Sequence, residues 1–237
     1  MCQNGLPDWP RNMKLTIAHR FLPFIKRGIT EDRWKKLSDM KEYHRRVLEA
    51  AAEGADFIKI MTTGLLDFAD HGKITGTPLS ATDVKEMVHI AHEEGFAVMS
   101  HTNGCYGVQA AVEAGVDSIE HGNYMDDETI SMLADSESVW VPTLVTVRNL
   151  KGCGRFEDTI LASIIKTGEQ NLKKAFEKKV HVAVGSDAGA YQVLHGQGVQ
   201  DESRAFLIYW VIRRQYEAGW KMEKKGSVPS SVTGLRI

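Results

Sequence analysis

From residue 40 onward, stretches with helical and with strand periodicity take turns along this chain, and that alternation limits its fold more than any other feature. "DMKEYHRRVLEAAAEG" (39–54) places Tyr43, Val47, Leu48 and Ala51 on one helical stripe and ends at Gly54. "GADFIKIMTTG" (54–64) then supplies a short apolar run that reads as a strand buried on both faces. A polar loop over 62–80 leads to a second helix, "SATDVKEMVHIAHEEG", where Ser80 and Asp83 stand at capping-box spacing. Strand "FAVMSHT" (96–102), a helix over 107–115, strand "VDSIEHG" (116–122), a helix over 126–136 and strand "VWVPTL" (139–144) continue the series. A helix near 157–179, a fifth strand in "VHVAVGSDAG" (180–189) and a helix over 201–219 complete it. Strands separated by helices form βαβ units with right-handed crossovers and a parallel sheet.

Two α/β architectures meet that pattern, an open doubly wound sheet and a (β/α)8 barrel. No glycine-rich G-x-G-x-x-G turn follows any of the strands. Polar chemistry sits at strand ends instead: His101 closes one strand, His121 the next and Asp187 the last. In a barrel those C-terminal ends form the active-site rim, so the (β/α)8 TIM barrel is the expected fold.

Within the first strand of the series stands Lys59, flanked by Phe57, Ile58, Ile60 and Met61. Burial penalises an ammonium group, so a lysine there needs a purpose. Side chains alternate along a strand, which puts Phe57, Lys59 and Met61 on one face, Asp117, Ile119 and His121 on one face, and Gly185 with Asp187 on another. If those faces look into the barrel, Lys59, His101, His121 and Asp187 converge near its upper mouth. Two imidazoles, a carboxylate and a lysine suit a divalent metal such as zinc, provided the lysine is not a cation. A neutral amine that takes up carbon dioxide becomes a carbamate, an anionic ligand with two oxygens. Singly, each residue has an ordinary explanation: a hydrogen-bonded rim histidine, a turn aspartate after Gly-Ser, a lysine reaching along its stem to water. Four of them at the ends of four strands are harder to assign to chance.

The rest of the composition narrows the partners. A formal charge of −2 over 237 residues argues against a nucleic-acid surface and fits one large domain. Cys2, Cys105 and Cys153 are too few and too scattered for a disulfide framework. They suit a reducing compartment, and a cytoplasmic protein is expected. No apolar run approaches the ~20 residues that span a bilayer, so no membrane partner is expected.

At the residues above, the sequence resembles the amidohydrolase superfamily, nearest to its imidazolonepropionase-like and prolidase-like (Xaa-Pro or Xaa-Arg dipeptidase) branch. The matching segments are "GADFIKIMTTG", "GFAVMSHTNG", "AVEAGVDSIEHG", "VPTL", "VAVGSDAG" and "HGQG", spread between about residues 48 and 202. The resemblance implies a metal-dependent hydrolase that cleaves amide or cyclic amide C–N bonds with activated water. It implies that Lys59 is carboxylated and bridges two metals, that His101 and His121 bind the second, and that Asp187 contacts the first and moves the proton. It also implies a small substrate, such as a dipeptide or N-acyl amino acid. The loop 62–80 and "AYQVLHGQG" (190–198) would shape the choice, with His195 and Tyr106 as candidate substrate contacts.

Two departures accompany the likeness. The family's first strand carries His-x-His, and none of the nine histidines here stand two apart. A complete barrel takes ~250 residues, yet only residues 1–56 precede the Lys59 strand, with one convincing strand around "MKLTIA". Residues 1–38 therefore read as a divergent N-terminal segment and 220–237 as a divergent tail on a partial barrel holding about strands four to eight. On this reading the first metal site keeps only Lys59 and Asp187, and at most one metal per chain is expected. Sheet edges left unpaired at the Lys59 or preceding strand and at the Asp187 strand invite a homo-oligomer. Two other functions are weighed against the hydrolase: a weakly active or non-catalytic amidohydrolase fragment, and a Schiff-base lyase with Lys59 as its nucleophile.

Overall fold

The computed structural model describes residues 14–19, 35–36 and 39–207. Strands β1 (Lys14–His19) and β2 (Lys35–Lys36) precede the alternating region. That region supplies β3 (Ala55–Met61), β4 (Ala97–Thr102), β5 (Ser118–His121) and β6 (Val139–Val141). Between and after them lie α1 (Met40–Ala52), α2 (Ala81–Glu93), α3 (Gly104–Ala114), α4 (Asp127–Ala134), α5 (Val145–Arg148) and α6 (Asp158–Lys178). A further helix covers 197–207; the remainder of the expected 201–219 helix and the 220–237 tail lie outside the described residues.

The sheet has the order β2-β1-β3-β4-β5-β6, and β3 to β6 are parallel and adjacent in chain order. This is an open segment of a (β/α)8 barrel. The fifth expected strand continues it in the same direction, as one parallel bridge between Trp140 and Val182 rather than a full ladder. Trp140 N–H donates to the His181 carbonyl (2.8 Å), and Ala183 N–H donates to that of Trp140 (2.9 Å). At the other side an unpaired edge was expected at the Lys59 strand or the one before it, and both have partners. β1 pairs with β3 in antiparallel fashion, Thr16 opposite Lys59.

Caps set the helix starts. Asp39 Oδ1 accepts from Glu42 N–H (2.8 Å), Ser80 Oγ from Asp83 N–H (3.1 Å) and Asp126 Oδ1 from Thr129 N–H (2.8 Å). Each satisfies a backbone donor that the first turn leaves open. The buried stripe of α1 is Tyr43, Val47 and Ala50, whereas Leu48, expected on it, is 46% exposed. Tyr43 O–H donates to the Met87 carbonyl, which ties α1 to α2.

The core lies between the sheet and these helices, around Ile58, Ile60, Val98, Ile119 and Trp140. Lys59 is on the opposite face of β3. That face is buried only toward the strand ends: Phe57, Lys59 and Met99 are half-buried, whereas Met61, His101 and Glu120 are buried. Among the described residues the sheet does not close, and no strand stands opposite its inner face.

Candidate functional site

Register decides which side chains share the Lys59 face. Lys59 is level with Met99, and Met99 with Ser118; one step further, Met61, His101, Glu120 and Val141 form a row. The expected inward set of Asp117, Ile119 and His121 is therefore corrected. Ile119 lies in the helix-side core, Asp117 is exposed and bonds His92, and the inward residue of β5 is Glu120. His121 reaches the site by another route. Its φ is 71°, a left-handed conformation uncommon for a non-glycine residue, which turns the ring at the strand end. The His101 and His121 rings then meet edge to face with centroids 4.6 Å apart.

Hydrogen bonds fix both rings. His101 Nε2–H donates to the Gly64 carbonyl (3.1 Å), which leaves Nδ1 with the lone pair. Asn103 Nδ2 donates to the same carbonyl (3.3 Å), and Asn103 N–H donates to Thr63 Oγ1 (2.9 Å). Asn103 Oδ1 accepts from Asn123 N–H and Nδ2–H, so one amide side chain ties the ends of β3, β4 and β5 together. His121 Nδ1 shares a 2.6 Å hydrogen bond with Thr143 Oγ1. The His121 carbonyl accepts from Trp140 Nε1–H (3.0 Å). The next residue must be small: a Cβ on Gly122, whose φ is +57°, would lie 2.6 Å from Trp140 Nε1.

Both imidazoles are neutral. Burial pushes His101 down to about 3, reinforced by His121 and the Lys59 charge, while Asp187 acts in the opposite sense. Burial, with Lys59 adding to it, takes His121 to about 3 as well. Glu120 moves the other way: burial raises its carboxyl, against the Lys59 charge and a 2.7 Å bond from Ser118 Oγ–H. Lys59 and Asp187 thus both act electrostatically on His101, although Asp187 is exposed, with φ 51° beyond the Val182 bridge. Neutral imidazole is the form that ligates a metal. Each ring has one nitrogen to offer, His101 Nδ1 and, when Nδ1–H donates to Thr143, His121 Nε2. Among the described residues no three His, Cys, Asp or Glu side chains come together to hold a metal ion. The donor set fits one cation only if Lys59 adds a carbamate, and it does not fit two.

The outer candidates have placements of their own. Tyr106 is 52% exposed and its hydroxyl accepts from Ala81 N–H at the start of α2. His195 is exposed in the 190–198 stretch. The 62–80 loop is pinned by an antiparallel bridge between Leu66 and Ile74, and Gly64 is forced there because a Cβ would come within 1.6 Å of the Thr75 carbonyl. Glu120, Asn103, Thr143 and Trp140 were not singled out from sequence. The signal that marks them is position: each lies in, or within two residues of, the strand-end segments "SHTNG", "IEHG" and "VWVPT".

Residues 14–215 match the model of the Amidohydrolase family. An uncharacterized protein of Mycobacterium tuberculosis is 29% identical over 208 residues, covering 85% of this chain and 54% of that protein. The ochratoxinase of Aspergillus niger is 25% identical over 153 residues, covering 62% of this chain and 32% of the enzyme. Among solved structures, a Xaa-Pro dipeptidase with methionine bound in its active site superposes with a TM-score of 0.61 at 27% identity, over 82% of this chain and 50% of the dipeptidase. The chain spans about half the length of the mycobacterial relatives it matches. Among the described residues, no helix is long and apolar enough to cross a membrane.

Proposed function

We propose, from the premise that this chain belongs to the amidohydrolase family, that it carries one half of a metal-dependent active site that hydrolyses amide C–N bonds. The observation behind this reading is the buried, neutral pair His101–His121 at consecutive strand ends, with Lys59 in electrostatic reach of both. His101, His121 and a carbamylated Lys59 are the residues assigned to hold one divalent cation, zinc being the expected ion. When bound, such a cation lowers the pKa of water and polarises a carbonyl.

The chain's own groups do the rest. Thr143 and Gly64 orient the two rings. The Asp187 carboxylate, exposed at the rim, is assigned the proton taken from water and returned to the leaving nitrogen. A small amide, a dipeptide or an N-acyl amino acid, is the substrate class we assign. Tyr106 and His195, both exposed, are assigned to substrate contact.

The test is metal analysis of the full chain after zinc loading in bicarbonate buffer, with a panel of Xaa-Pro and Xaa-Arg dipeptides. One zinc per chain, lost in Lys59→Ala, with slow metal-dependent hydrolysis is the expected result. Metal content unaffected by Lys59→Ala would exclude the carbamate. A chain that binds no metal and hydrolyses nothing would be a non-catalytic fragment.

A further inference from the structure

The segment that carries Thr143 is held by a residue distant in sequence. Thr143 has φ 49°, and α5 begins directly after it with Leu144 as N-cap, which makes no side-chain capping bond. The missing cap comes from the 197–207 helix. Glu202, fully buried, accepts from Leu144 N–H through Oε1 (2.9 Å) and from Val145 N–H through Oε2 (2.7 Å). The carboxyl group thus holds the two amides that follow Thr143. Thr143 Oγ1, 2.6 Å from His121 Nδ1, is the hydroxyl whose position those amides determine.

We propose that Glu202 is a positioning residue for His121: by clamping the Leu144 and Val145 amides it holds the Thr143 hydroxyl where it keeps the imidazole in the Nδ1–H tautomer, with the Nε2 lone pair facing the site. Glu202, 58 positions beyond Leu144, then acts on the ring through one backbone turn and one hydroxyl. A bond from the second ring nitrogen commonly decides which nitrogen of a histidine ligates. The chemical role of that lone pair rests on the function proposed above. The tautomer does not, because it is a property of the metal-free chain.

Long-range 1H–15N spectra of the metal-free full chain distinguish the two tautomers of His121, assigned by comparison with His121→Gln. The wild type is expected to show Nδ1–H. Thr143→Val is expected to shift the signal toward the Nε2–H form or an average, whereas Thr143→Ser retains it. Glu202→Gln is expected to reproduce the Thr143→Val signature, and the double variant to add nothing to either. Zinc affinity, measured separately, should fall about 10–100-fold in Glu202→Gln, the range for residues that orient a metal ligand. A wild-type ring in the Nε2–H form overturns the proposal, and so does a Thr143→Val ring unchanged from wild type. Both readouts remain available even if Glu202→Gln does not fold. A folded Glu202→Gln with an unchanged His121 spectrum also overturns it. Loss of zinc binding with the tautomer shifts intact would instead count against the metal-dependent function alone.

Discussion

Glu202 also makes a prediction about stability, with a sign that runs against habit for a carboxylate. Burial raises its pKa from the ordinary 4.5 to about 7, overcoming the bonds from Val145 and Leu144 and the nearby Arg148 charge. Between those values the folded chain keeps a proton that the unfolded chain has released. Stability from this group is therefore fully present below about 4.5, declines as pH rises, and is lost above about 7. At 1.36 kcal/mol per pH unit the loss is about 3 kcal/mol, a large part of the stability of an ordinary domain.

The raw pH profile will not isolate it, because His101 and His121 act in the opposite sense. Held neutral down to about 3, they favour the folded state increasingly as pH rises through the same range toward their ordinary value of 6.5. The measurement is therefore a difference. Urea unfolding of wild type and Glu202→Gln is followed at intervals from pH 5 to pH 8, where the glutamine does not titrate and the histidine contributions cancel. Wild type should lose about 2–3 kcal/mol relative to the variant across that interval. A flat difference would refute the reasoning, since the two backbone bonds would then hold the carboxylate ionised throughout. A difference of opposite sign would place the folded pKa below 4.5.

Other consequences are simpler to read. Trp140→Phe should cost about 1–3 kcal/mol in chemical denaturation, because it leaves the His121 carbonyl buried without its donor. Gly64→Ala should destabilise the 62–80 loop, since its Cβ meets the Thr75 carbonyl; faster limited proteolysis within 65–75 than in wild type would show it, and an unchanged rate would contradict it. Lys59→Arg should lose zinc as completely as Lys59→Ala, for a guanidinium cannot form the carbamate. Val184, 44% exposed beyond the single Val182 bridge, has no strand partner among the described residues, so the chain should associate with rising concentration in sedimentation, and Val184→Lys should weaken that association.

How much of this was legible beforehand depends on which force decided each feature. The parallel order of β3 to β6 followed from the alternation alone, because apolar periodicity is written residue by residue. The Ser80 cap followed for the same reason: its partner Asp83 is three positions away. The antiparallel arrival of β1 beside β3 was not readable, since nothing local says which edge a strand from residues 14–19 will find. The 180–185 strand read as strongly as its neighbours, yet among the described residues it is bridged at Val182 alone, because periodicity does not name a strand's partner.

The site shows the same division at finer scale. Parity put His121 on one face with Asp117 and Ile119, and the structure separates them: Ile119 packs in the helix-side core while His121 turns to meet His101, because parity holds only while the backbone stays extended. His121, Thr143 and Asp187 all have positive φ, at 71°, 49° and 51°, and each stands at or just beyond the end of a strand. Alternation fails at the point where a strand stops, and barrels place their chemistry there. What selects those left-handed turns is a set of distant contacts: Trp140 on the His121 carbonyl, Glu202 on the amides after Thr143. Both partners belong to other elements, and Glu202 to the last helix described, so the conformation of the ring is settled only when that helix docks. A variant that keeps every residue of the strand-end segments but prevents the 197–207 helix from packing should therefore keep the sheet and lose the fixed tautomer of His121.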